Sequence, residues 1–221
     1  MRFDILTAQT YERLAGVKAL LDPFDDALPA AEARENEALR EFASGNELQY
    51  EEFRAEETVL DVRFRHWLPR YAAYSVVLLL FSVFENQLIA CARRASRKQS
   101  GSLSPTKADG GSVAAAKTSL QGAGVAVTTD PDWDQIMDLR DLRHLIAHRV
   151  GMRGNAEKHR ETAGRLEKKY GGRIAFPDTP FYNEVWVSLH LCREWIAAVA
   201  KFFNRIFAQL DMPALGPGLG D

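Results

Sequence analysis

Cysteine is nearly absent from this chain: its 221 residues include only Cys91 and Cys192, each inside an apolar stretch with helical spacing. Two thiols cannot build a disulfide framework, so a small stapled scaffold is excluded and buried, reduced side chains are expected. The polar–apolar alternation that marks half-buried strands is missing, and no internal repeat stands out. The apolar run at residues 75–84 stops at Glu85-Asn86-Gln87, too short to cross a bilayer by itself. The N-terminus lacks a secretory leader pattern, because Arg2 and Asp4 lead straight into mixed polarity. Apolar residues make up 46% of the chain, enough to argue against wholesale disorder. The expectation is a soluble, cytoplasmic protein with no membrane partner.

Net charge is also small, at -2, but it hides a division. Residues 22–62 contain thirteen acidic and three basic side chains, a net of -10, whereas residues 63–175 contain nineteen basic and ten acidic, a net of +9. A polyanion would be drawn to the middle of such a chain. Alternatively, the two blocks are solvated faces that offset one another. The acidic block could also cover the basic one, within a chain or across a dimer.

Helical spacing accounts for most of the length. Leu14, Val17, Leu20 and Leu21 predict a helix over residues 9–22, stopped by Pro23. A second is expected from Pro29 to residue 42, with Pro29 in its first turn, and a third over 47–68 after the Ser44-Gly45-Asn46 break. Pro69 predicts a boundary or kink. Residues 70–98 are apolar on nearly every side in their middle, as expected of a central helix packed on several neighbours.

Residues 99–129 read as a mobile loop with one short helix near 113–120. Asp130-Pro131 then predicts a helix start, and the helix continues to about residue 150, where Gly151 and Gly154 can end it. A charged helix is expected over 156–169, an extended stretch at 173–176 and a long helix from about Pro180 to 210. The Gly/Pro-rich residues 212–221 are expected to fray. The fold class is all-α: an acidic helical extension at 1–69, a helical bundle at 70–211 and a flexible tail.

One stretch concentrates the side chains of acid–base and phosphate chemistry: Asp138-Leu-Arg-Asp-Leu-Arg-His-Leu-Ile-Ala-His-Arg-Val-Gly151. His144 and His148 are four apart and share a helical face, with Asp141 three and seven residues before them. Arg143 and His148 are five apart, separated by about 140° on an ideal helix. To meet, they need a distorted helix, a long reach by the arginine, or a second copy of the motif.

Three chemistries fit these residue types. Asp141, His144 and His148 form a facial set for a divalent ion, but no cysteine or further ligand follows at a diagnostic spacing, so no metal is expected. A solvated helix face requires no function at all. Metal-free RNA cleavage would use imidazole to accept a proton from a 2′-hydroxyl or donate one to a departing 5′-oxygen. Guanidinium would hold the phosphate and stabilise its developing charge. Two chains around a two-fold axis would supply one acid and one base.

The segment Arg143-His144-Leu-Ile-Ala-His148 resembles the Arg-x(4–6)-His signature of the HEPN superfamily. His144 matches the polar residue often found after that arginine, and Gly151 matches a downstream glycine. Phe84-Glu85 resembles the aromatic–acidic step in an earlier helix of several HEPN groups. The resemblance covers about residues 70–210. It implies an α-helical bundle, a homodimer formed through the motif helices and a composite cleft.

Active members of the family are metal-independent endoribonucleases, many in toxin–antitoxin or antiviral systems. By that resemblance Arg143 would orient and stabilise the scissile phosphate, His148 would act as general acid or base, and His144 would position substrate or assist proton transfer. The products would be a 2′,3′-cyclic phosphate and a 5′-hydroxyl. RNA is the implied substrate, no cofactor is implied, and an antitoxin or another defence-system protein is a possible partner.

Val150 stands where toxins silenced by a nucleotidyltransferase often carry tyrosine, so control through modification of that tyrosine is not supported. Other HEPN proteins are non-catalytic, and a helical protein binding nucleotide, RNA or another protein is the alternative.

Glu85 either points into the cleft to orient Arg143 or a histidine, or faces solvent with Asn86 and Gln87; Asp141 is a further supporting candidate. Arg149, Arg153, Arg93, Arg94 and Arg97 either line an RNA path or are solvated. His66, His159 and His190 are read as surface or packing residues.

Overall fold

The most apolar part of the chain forms the axis of the molecule. In the computed structural model, which describes residues 4–46, 49–100, 112–149, 157–176 and 184–219, the central helix α4 is Leu68–Ser100. The side chains at 98–100, 149 and 158 lie outside this description. The remaining helices are α1 (Ile5–Ala19), α2 (Pro23–Gly45), α3 (Tyr50–Val62), α5 (Ser112–Gly122), α6 (Trp133–Arg149), α7 (Glu157–Tyr170) and α8 (Leu189–Gln209). A two-residue antiparallel pair, β1 (Ile174–Ala175) with β2 (Trp186–Val187), is the only sheet among the described residues. The fold is all-α.

Local signals explain most boundaries. Asp4 caps α1 by accepting from the Leu6 and Thr7 N–H groups at 3.0 and 3.2 Å. Pro23 occupies the first turn of α2, where its missing N–H costs nothing, so Pro29 falls inside the helix instead of opening it. Pro69 lies in the first turn of α4, which starts at Leu68, so the expected boundary falls there. Arg63–Trp67 form a π-helical turn just before it, and the widened turn accommodates a ring that would otherwise clash with the preceding carbonyls. Tyr50–Arg97 therefore runs as one helix of 48 residues. By length and composition this helix could cross a membrane, and half of its apolar window is buried inside the fold.

An aromatic cluster holds α4 to its neighbours. The fully buried Phe84 ring lies 5.6 Å from Phe202 and 5.8 Å from Phe203 of α8, and 6.3 Å from Trp133 of α6. Cys91 and Cys192 are free and buried, and burial pushes both thiols up to about 12. Leu14, Val17 and Leu21, from α1 and the turn after it, belong to the same core as α4 and α8. Of the N-terminal helices only α2 and α3 stand off as an arm; α2 buries no residue, and α3 buries Leu60 alone.

Two expectations near the C-terminus give way. The last helix starts at Leu189, not near Pro180: Ser188 caps it by accepting from the Leu191 N–H at 3.1 Å, and Trp186-Val187 pair as a strand with Ala175 and Ile174. Positions 177–183 are outside the described residues.

Residues 212–219 pack rather than fray. Asp211 adopts φ 56°, and the Met212 N–H donates to the Phe207 carbonyl at 2.8 Å, a left-handed helix end that turns the chain back. Met212, Leu215 and Leu219 are then buried, and the Leu215 N–H donates to Asn204 at 2.7 Å.

Replacing Phe84 by alanine should cost about 3–5 kcal/mol, the range for emptying a fully packed aromatic site. Urea unfolding followed by circular dichroism would check this; a loss below about 1 kcal/mol would mean the cluster does not hold the bundle.

Candidate active site on helix α6

Helix α6 is held at its start and along its buried face. Near its start Asp130 accepts two hydrogen bonds from Arg205 of α8, at 2.6 and 2.7 Å, and one from the Asp132 N–H at 2.9 Å. The first α-helical residue is Trp133, two positions after Pro131. Ile136, Leu139, Leu142, Leu145 and Ile146 are buried and face the core.

The α7-facing side of α6 has two halves, because the two helices run antiparallel. In the first half, Asp138 is buried and accepts from the Tyr170 hydroxyl at 2.9 Å and from Arg165 and Lys169. Asp141 accepts from Arg165 at 2.7 Å and from Arg140 at 2.8 Å. Burial alone would raise the Asp138 carboxyl, but the hydrogen bonds from Arg165, Lys169 and Tyr170 outweigh it and hold the group below its ordinary value.

The second half holds imidazoles. The exposed His144 and His148 rings are 4.4 Å apart between centroids, and His159 of α7 brings a third ring to 6.1 Å from His144. His144 is held below the ordinary imidazole value. Partial loss of water contributes most, followed by His148, His159 and Arg143, with Asp141 opposing. The direction favours the uncharged ring.

Arg143 is half-buried on a different side of the helix. The helix is regular through residues 143–148, so distortion does not bring Arg143 and His148 together. Among the described residues no carboxylate pairs with Arg143, His144 or His148. Nor is any group of three His, Cys, Asp or Glu residues among them arranged to hold a metal ion. Asp141 is engaged by Arg140 and Arg165.

The other candidates are more scattered. Glu85, half-buried on α4, accepts from the Ser112 hydroxyl. It lines a cavity of about 350 Å³ with Phe81, Lys117, Trp133 and Arg140, beside the first half of α6. Arg94 pairs with Asp4 at 2.6 Å and so ties α4 to the cap of α1, while Arg93 and Arg97 are exposed. The Arg149 side chain, Arg153, Val150 and Gly151 lie outside the described residues. His66 is exposed and His190 pairs with Glu194 at 3.2 Å, whereas His159 joins the motif histidines.

His159 was legible only in part. It heads the stripe Ala163, Leu166 and Tyr170, whose i, i+4, i+7 spacing is the buried face of α7. No family model, curated protein or solved structure matches the chain.

Asp138→Asn should lower stability at pH 7 by about 1–3 kcal/mol, the range for hydrogen bonds to charged groups. The carboxylate is only 4% exposed, but Arg165 and Lys169 are 46% and 44% exposed, so solvent screening argues against the larger penalty of a fully buried pair. A depressed carboxyl stabilises above its unfolded value of about 3.9, and that contribution is lost as pH falls through the folded value. Thermal melts from pH 7 to 2 should therefore show the wild-type advantage shrinking in acid; a constant difference would contradict this assignment.

Proposed function

We propose that this chain is a cytoplasmic, metal-independent endoribonuclease of HEPN type, working as a homodimer whose two α6 helices supply a composite site. The observation that carries the reading is where charge goes unpaired. Along α6 the carboxylates of Asp138 and Asp141 are engaged by α7 cations, while Arg143, His144 and His148 have no carboxylate partner among the described residues. An unpaired guanidinium and an imidazole pair on different sides of one helix suit a phosphodiester when two copies of that helix meet.

In the reaction the RNA 2′-hydroxyl loses its proton to an imidazole and its oxygen bonds to phosphorus. Arg143 donates to the phosphate oxygens as their charge rises. The bond from phosphorus to the 5′-oxygen breaks, and that oxygen takes a proton from a second imidazole, His148 acting as acid or base. A 2′,3′-cyclic phosphate and a 5′-hydroxyl result, with no water consumed. Because Arg143 and His148 diverge by about 140° on a regular helix, residues from two chains complete the site. A role as toxin or antiviral effector, with an antitoxin or defence-system partner, accords with the HEPN resemblance.

Purified protein is expected to be dimeric by light scattering and to cleave RNA in excess EDTA. His148→Ala should slow cleavage by at least about 100-fold, the lower end of general acid–base catalysis, with folding and dimerisation intact. Sequencing of RNA ends after expression of both forms reads this directly. Unchanged cleavage by a folded His148→Ala protein would sink the assignment, as would an active monomer for the composite site. RNA binding without any cleavage would favour the non-catalytic reading.

A further inference from the structure

The reading of α6 as a nuclease site leaves one neighbouring group without a role: His159. It comes from a different helix, and its ring stands 6.1 Å from His144, which is itself 4.4 Å from His148. Its Nδ1 is buried and has no hydrogen-bond partner among the described residues. A buried ring nitrogen left without a partner costs stability, so its presence here needs an explanation.

A charged neighbouring imidazole disfavours charge on His144. The groups acting on His144 are His148, Arg143 and Asp141 from α6 and His159 from α7. Only Asp141 favours a charged His144, and its oxygens are engaged by Arg140 and Arg165.

We propose that His159 is a positioning residue of the motif site: acting through His144, it sets which of the two adjacent α6 imidazoles holds the proton. This rests on the nuclease reading above. With His159 beside it, His144 stays the proton acceptor for the 2′-hydroxyl, and His148 is the ring that donates to the departing 5′-oxygen. Asp138 and Asp141 clip α7 to α6 through Arg165 and thereby fix the distance over which His159 acts.

The test is nuclear magnetic resonance titration of the imidazole protons in the full-length protein, which has only five histidines. In His159→Gln the His144 midpoint should move to higher pH. His159→Asn is a second variant, in which the same upward move of the His144 midpoint is expected. The acid limb of the RNA-cleavage rate profile should move to higher pH in His159→Gln, because a proton acceptor must first lose its own proton.

An unmoved His144 midpoint in a folded His159→Gln or His159→Asn protein overturns the proposal. That result stands whatever the RNA assay gives. If no form cleaves RNA while the His144 midpoint moves as expected, the nuclease reading fails and the catalytic role of His159 falls with it.

Discussion

The buried carboxylate of Asp138 is the constraint on which this arrangement depends. A charge removed from water must be met by donors, and α7 supplies three in one stretch: Arg165, Lys169 and Tyr170. Meeting them fixes both the rotation of α6 and the register of α7 against it. The same register carries His159 to His144 two turns farther along. Loosening the clip would thus be felt at the imidazoles, although Asp138 touches none of them. The site is a consequence of how α6 and α7 pack, as much as of the motif itself.

The features legible in the sequence were those set by local spacing. The apolar faces of α4, α6 and α8, the charged character of α7 and the short helix after the central one all follow from periodicity. The motif's presentation on a regular helix was equally readable, and so was the divergence of Arg143 from His148. What escaped was set by partners distant in sequence. Arg94 read as a cation that lines an RNA path or is solvated, but its partner is Asp4, far away in the chain. His159 looked isolated because only the α6–α7 packing brings it to His144. Pro29 misled because a first-turn proline signal has two structural solutions here, and Pro23 already supplied that role.

The division of charge has a structural counterpart. The acidic block forms α2 and α3, an arm whose seam is itself polar. Glu32, Asn36, Arg40, Glu57, Asp61 and Arg65 surround a cavity of about 440 Å³ between the two helices. Arg65 bridges to Glu32 at 3.3 Å and Arg193 of α8 to Asp25 at 2.7 Å. With so little apolar surface buried, the arm lies at the low-stability end of the molecule, where local opening costs least.

The turned-back segment after α8 has a consequence in time. Thr7, in the first turn of α1, donates its hydroxyl to the carbonyl of Pro213, 206 positions later in the chain. At synthesis rates of about 5–20 residues per second, α1 exists for roughly 10–40 seconds before that acceptor has been made. Leu14 and Val17, buried in the finished core, spend that interval without α8 to cover them. A helix made well before its acceptor is thus among the last to find its place.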